Sequence, residues 1–149
     1  MKNTAKILVL FLVALVMSSC FKKLKDDLTP SGSATLIANG TNVSLGTPTA
    51  VTLLGVVTIE ANKDKSGYTI LLNKSDIKEG KTYDLKSSTG VFTFQHDGTF
   101  YSPSTGTLEI TKFTDNKIVE GKFSFEGNAV GSTSKKMTAN GTFSVNIIL

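Results

Sequence analysis

Apolar and polar residues alternate at every second position through most of this chain, and the alternation is cut by Asn-Gly, Asp-Gly and Asp-Asn pairs, which predicts an all-β fold. No window after residue 34 keeps apolar residues at helical spacing for three turns. Short strands at regular spacing, nine or ten of them, predict an antiparallel β-sandwich or a barrel-like meander. Seven phenylalanines lie between Phe92 and Phe143, so the second half is expected to supply the aromatic core.

The first twenty residues follow a different pattern. Lys2 and Lys6 form a positive region, Ile7 to Met17 is an unbroken apolar run of eleven residues, and Ser18-Ser19 precede Cys20, the one cysteine present. Charge, a short apolar run and small residues, in that order, form a secretory signal, and the run is too short to span a bilayer. The competing reading, a buried free thiol at Cys20 behind a core helix or a membrane anchor at residues 7–17, leaves that order unexplained. A cysteine directly after the small residues resembles the lipobox of bacterial lipoproteins, with Met17 standing where that family usually has leucine. The resemblance implies that residues 1–19 are a lipoprotein signal peptide removed before Cys20. It also implies that Cys20 carries the lipid. One acyl chain holds a membrane marginally, at ~0.8 kcal/mol per buried CH₂, whereas two or three together hold almost permanently. With no second cysteine, disulfides are excluded and stability must come from packing.

Residues 20–33 read as the acylated cysteine and a flexible tether, charged at first and ending in the breakers Pro30-Ser31-Gly32-Ser33. Phe21 to Ser33 could stretch to at most ~45 Å and as a coil would average ~20 Å, so the domain is expected to stand off the membrane. Within the tether, Lys25-Asp26-Asp27 is similar to the surface-export signal of Bacteroidota lipoproteins. The plain alternative is a linker kept solvated by its charges. Residues 34–149 then suit one all-β domain, and a chain of this size buries roughly two-thirds of its unfolded surface.

Ala34 to Ala38 meets Asn39-Gly40, the strongest two-residue hairpin signal, and is expected to return through Thr41 to Leu45. Val51, Leu53, Gly55, Val57, Ile59 and Ala61 alternate as one long strand. Asn62 to Gly67 is a polar turn, and Tyr68 to Asn73 follows as a strand. Ser75 to Glu79 suits one helical turn before Lys81 to Leu85 extends again. Val91 to Gln95 and Thr99 to Ser102 flank His96-Asp97-Gly98. Thr107 to Phe113 and Ile118 to Gly127 flank Asp115-Asn116, and Lys136 to Ile148 closes the series.

A near-repeat fixes a register. In Gly98-Thr99-Phe100, Gly121-Lys122-Phe123 and Gly141-Thr142-Phe143, glycine and phenylalanine share one strand face. Pairing Val119–Gly127 antiparallel with Met137–Val145 sets Gly121 opposite Phe143, Phe123 opposite Gly141, Phe125 opposite Ala139, Gly127 opposite Met137 and Val119 opposite Val145. Large then meets small, and each bare glycine is covered by a ring. A two-residue turn at Asp115-Asn116 sets Ile110 opposite Gly121 on the other side. The stretches Gly106–Thr111, Val119–Phe125 and Thr138–Val145, with the Asn39-Gly40 hairpin and Gly80–Tyr83, resemble the small Bacteroidota lipoproteins grouped as domains of unknown function. That resemblance implies an all-β exported domain and carries over no catalytic or binding residue.

Candidate chemistry is sparse. His96 is the one histidine and sits beside a turn pair, where a solvated turn residue is the ordinary reading; no Gly-x-Ser-x-Gly elbow accompanies it. Glu60, Glu109, Glu120 and Glu126 fall on predicted solvent faces and are not paired as glycosidase carboxylates. Asn62 to Gly67 imitates the first half of a calcium loop. Its twelfth position is Asn73 instead of glutamate, and two lysines interleave the would-be ligands. No catalytic residue, metal or cofactor is therefore assigned, and no enzyme activity is expected. Of the sixteen lysines five precede residue 34, leaving eleven against ten acids, and there is no arginine to read phosphates or guanines. A nucleic-acid partner is thereby disfavoured. The membrane is expected as a partner through the lipid anchor. Two functions stay open: a lipid-anchored, surface-displayed binding or structural module of the outer membrane, or a lipocalin-like carrier of a small apolar ligand. A filled interior would favour the first, and a connected apolar cavity of ~300 Å³ or more the second.

Overall fold

The computed structural model describes residues 29–86 and 91–148. Their strands are β1 (Gly32–Ala38), β2 (Thr41–Asn42), β3 (Thr49–Leu53), β4 (Val56–Lys63), β5 (Ser66–Asn73), β6 (Thr82–Asp84), β7 (Val91–His96), β8 (Thr99–Thr114), β9 (Ile118–Ala129) and β10 (Lys136–Ile148). A single 3-10 turn covers Lys74–Asp76, at the start of the stretch expected to make a helical turn. The residues expected to form the signal peptide, and Cys20, Lys25, Asp26 and Asp27, lie outside the described residues.

The length of the last three strands dictates the architecture. β8, β9 and β10 pair in sequence order as a curved antiparallel sheet, and the chain β3-β4-β5-β7 joins β10 back to β8. Seven strands thus close a barrel, which leaves its ring without a free edge. β1 and β2 lie outside on β10, and β6 lies outside on β8. The barrel is mixed, not purely antiparallel: Ile147 and Ile148 pair with Ala50 and Val51 in parallel. The cause is chain direction. β1 runs antiparallel to β10, the Asn39-Gly40 turn reverses the chain, and residues 43–48 continue without a second reversal. β3 therefore arrives running with β10, on the edge that β10 presents beyond Gly32.

The predicted register of β9 and β10 holds throughout, with Gly121 opposite Phe143, Phe123 opposite Gly141 and Val119 opposite Val145. A Cβ placed on Gly121 would lie 2.5 Å from Cζ of Phe143, and one on Gly141 would lie 2.7 Å from Cζ of Phe123, so each ring does cover a bare glycine. The third member of the near-repeat differs: Gly98 sits in a turn at φ +78°, and Phe100 points to solvent. Ile110 faces Gly121 as expected, by a different route. The loop is three residues, Asp115-Asn116-Lys117, closed by the Lys117 N–H donating to the Thr114 carbonyl at 3.0 Å. A bulge between Ile110 and Lys112 absorbs the extra residue.

Three further boundaries differ from expectation. The long alternating run from Val51 to Ala61 is two strands, folded back at Leu54-Gly55 with both residues at positive φ. β2 is only two residues long before the chain crosses toward β3. β8 runs unbroken through Pro103–Gly106, because a register shift between Pro103 and Thr105 keeps the pairing with β9.

Inward-facing rings cluster inside the barrel. Tyr68 packs on Phe123 at 4.7 Å between ring centroids, Phe92 on Phe123 at 5.2 Å, Phe92 on Phe125 at 5.3 Å and Phe94 on Phe125 at 4.9 Å. These tilted and edge-on contacts interlock one half of the barrel with the other. Among the described residues no charged side chain is buried. The Tyr68 hydroxyl donates to the Thr142 carbonyl at 3.2 Å.

The strand directions give the barrel two distinct poles. At the proximal pole the Ser31 carbonyl accepts the Asn146 N–H, and the β3–β4 turn, the 3-10 turn and the β8–β9 loop gather around it. The distal pole carries the Asn39-Gly40, Asp64-Lys65 and Asp97-Gly98 turns and the 130–135 connection.

Candidate functional site

Polar chemistry gathers at the distal pole. The tight turn at Asp64-Lys65 places Ser66 at the start of β5, and the β5–β7 pairing of Gly67 with Gln95 brings Ser66 beside His96. Ser66 Oγ lies 3.2 Å from His96 Nδ1, and the Asp97 N–H donates to the same oxygen at 3.1 Å. His96 Nε2 lies 3.6 Å from the Asp97 carboxylate. A shallow depression of about 480 Å³ borders this group and is lined by Ser44, Lys63, Asp64, Lys65 and Asp97 among others.

Serine, histidine and aspartate together invite comparison with a nucleophile and its base, and the geometry decides against the analogy. The Asp97 side chain is 85% exposed and stands beyond hydrogen-bond distance from the ring. A solvated carboxylate on the adjacent residue neither locks the imidazole tautomer nor stabilises an imidazolium in a dry site. What the group does is close a turn: Ser66 Oγ accepts the Asp97 N–H and shares a hydrogen bond with His96 Nδ1. The sequence placed His96 in this turn. Its neighbour Ser66 was not legible, because the two residues stand thirty positions apart and meet only through the pairing of β5 with β7.

The calcium-like stretch resolves as a hairpin, with Asn62 paired to Gly67 and Lys63 to Ser66. Lys63 Nζ donates to Ser44 Oγ at 3.2 Å. Among the described residues no three of His, Cys, Asp or Glu stand close enough to hold a metal ion. The glutamates predicted on solvent faces do lie on the outside, where Glu109 pairs with Lys122 at 3.1 Å and Glu120 with Lys112 at 3.7 Å. A groove of about 280 Å³ crosses that outer face, and in its lining Thr35 Oγ1 meets Thr142 Oγ1 at 2.8 Å.

Exposed apolar groups form two clusters. Val51, Leu53 and Leu54 stand at the proximal β3–β4 hairpin, and Phe100 and Val130 stand side by side at the distal pole. Sequence reasoning missed the first cluster by extending one strand through it. The Gly55 that ends the turn was the available signal.

No protein-family model matches this chain, and no curated protein matches it.

Proposed function

We propose that this chain is a lipid-anchored cell-envelope lipoprotein, held at the outer membrane by Cys20 and displayed on the cell surface, whose barrel acts as a non-catalytic binding or structural module. The observation that carries the reading is the order of the first twenty residues, from charge through a short apolar run to Ser18-Ser19-Cys20. A barrel that closes on itself with strands from Thr49 to Ile148 agrees with it. Lys25-Asp26-Asp27 supports surface display. The interlocked rings inside the barrel favour a module over a carrier of an apolar ligand, because they occupy the space a ligand would need. The resemblance to small Bacteroidota lipoproteins of unknown function points the same way.

The test is Cys20→Ala. The wild-type protein should fractionate with membranes and carry the mass of a cleaved, acylated chain, whereas the variant should remain uncut or become soluble. Identical mass and fractionation of the two would remove the anchor. Protease added to intact cells should digest the wild type, and alanine at Lys25, Asp26 and Asp27 should protect it. A protected wild type would place the barrel in the periplasm.

A further inference from the structure

We infer that the β3–β4 hairpin tip, Leu53-Leu54 with Val51 beside it, docks the barrel onto the lipid surface that bears the tether. This inference rests on the lipid-anchor reading above and assigns that membrane a second, non-covalent contact.

Backbone conformation makes the tip unusual. Five non-glycine residues among those described have left-handed φ: Asn39, Asp64, Asp97, Asn116 and Leu54. Four are Asn or Asp, whose short polar side chains tolerate that region. The fifth is a leucine at φ +50°, 95% exposed, followed by Gly55 at φ +79°. Two positive φ values in a two-residue hairpin define the turn for which Asn-Gly is the favoured pair. Leu54 therefore costs the turn stability and contributes nothing to the core. Leu53, 69% exposed, and Val51 share the outer face of β3 and extend the apolar surface. Between Asp27 and Glu60 the sequence holds no charged residue, so this hairpin brings no charge into contact with an apolar phase.

Position identifies the occupant. The Ser31 carbonyl accepts the Asn146 N–H, and the next residue of β10, Ile147, pairs with Ala50. The tether thus reaches the barrel level with the start of β3. β3 runs on in the direction from which the tether comes, so Leu54 projects roughly 15 Å beyond that level at about 3.3 Å per residue. Cys20 lies eleven residues before Ser31 and can reach up to ~38 Å, more than the tip projects. An acylated Cys20 and the hairpin tip can meet one membrane together. Phe100 and Val130 stand at the opposite pole, some ten residues of β10 from where β1 begins.

The chain has no tryptophan, so one substitution creates a sole reporter. The ten strands of the described residues lie within the segment from Cys20 onward, which can be coupled through its one thiol to a maleimide lipid in phosphatidylcholine–phosphatidylglycerol vesicles. With bromine on the acyl chains, emission from Leu54→Trp should be quenched at least twofold, while Val130→Trp should change by less than a tenth. In a Val51→Trp reporter background, adding Leu54→Asn should remove most of the quenching and raise the Tm by about 3 °C, because asparagine suits the turn. Equal quenching at the two poles, or none at position 54, overturns the inference, as does undiminished quenching with Leu54→Asn. Chemical coupling supplies the anchor in every case, so the acyl mass on Cys20 in cells tests the lipoprotein reading separately.

Discussion

Gly141 has no room for a methyl group. A Cβ there would press on the Thr35 carbonyl oxygen of β1 and lie 2.7 Å from Cζ of the Phe123 ring. The ring can tilt, but the carbonyl belongs to a paired strand and cannot. Gly141→Ala should therefore lower stability by ~1–3 kcal/mol, and denaturant unfolding would measure it. Gly121→Ala presses mainly on the Phe143 ring and the Glu109 carbonyl, so pairing it with Phe143→Leu should recover part of the loss. Tyr68 offers a pH handle. Burial raises its pKa far above the ordinary 10.0, and Tyr83 is raised too, by burial first and then by the Asp76 carboxylate. Below pH ~10 the phenols are protonated in folded and unfolded chains alike, and the stability they contribute is fully present. Above that pH only the unfolded chain releases the proton, so stability falls by ~1.4 kcal/mol per pH unit for Tyr68. Denaturation midpoints measured from pH 8 to pH 11.5 should decline on the alkaline side, and Tyr68→Phe should make that decline shallower. A flat alkaline limb in the wild type would contradict the burial.

At the scale of elements, the β8–β9 hairpin shows how a loop and a bulge correct one another. Asn116 takes φ +55° within a three-residue loop, and the bulge between Ile110 and Lys112 restores the register that sets Ile110 against Gly121. Asn116 also accepts a hydrogen bond from Lys74 Nζ at 2.8 Å, while Asp115 pairs with the same ammonium at 2.7 Å. Asn116→Ala removes both the tolerance of left-handed φ and that hydrogen bond, and should cost ~1–2 kcal/mol. Asn116→Gly keeps the conformation and should cost less than the alanine variant; thermal unfolding of the pair separates backbone from side chain. Asp115→Asn should matter little, since an exposed ion pair contributes ~0–1 kcal/mol. The β3–β4 hairpin is the counter-example, a turn whose first residue works against its own conformation.

For the whole molecule, closure rests on β10. This strand pairs with β9 along one edge and shares its other edge between β1 and β3. Ile147 pairs with Ala50 and Ile148 with Val51, so the ring closes only when the last strand meets β3, with β1 added outside it where Gly32 pairs with Val145. Removing residues 136–149 should then leave a chain with no cooperative unfolding transition, readable by circular dichroism and one-dimensional NMR. Survival of a sharp transition would mean that β3–β9 form an independent unit.

What the sequence by itself determined has short reach or strict period. Period-two alternation identified the fold class, Asn39-Gly40 its first hairpin, and the match of Gly121, Phe123, Gly141 and Phe143 a complete register between β9 and β10, because side-chain size must balance across a shared face. The order of residues 2–20 carried the proposed anchor without any tertiary information. Elsewhere the same local signals misled: alternation runs straight through Leu54-Gly55, although the turn sets Val51 and Leu53 on the outer face and Val57, Ile59 and Ala61 in the core, and Pro103–Gly106 looks like a break where a bulge lets β8 continue. Only the tertiary structure decided barrel over sandwich, the parallel meeting of β3 with β10, the neighbourhood of Ser66 and His96, and the position of Leu54 on the pole where β1 begins. Each of these depends on which distant strand edges find one another. That choice is set by the summed packing of the closed core, and no short stretch of sequence carries it.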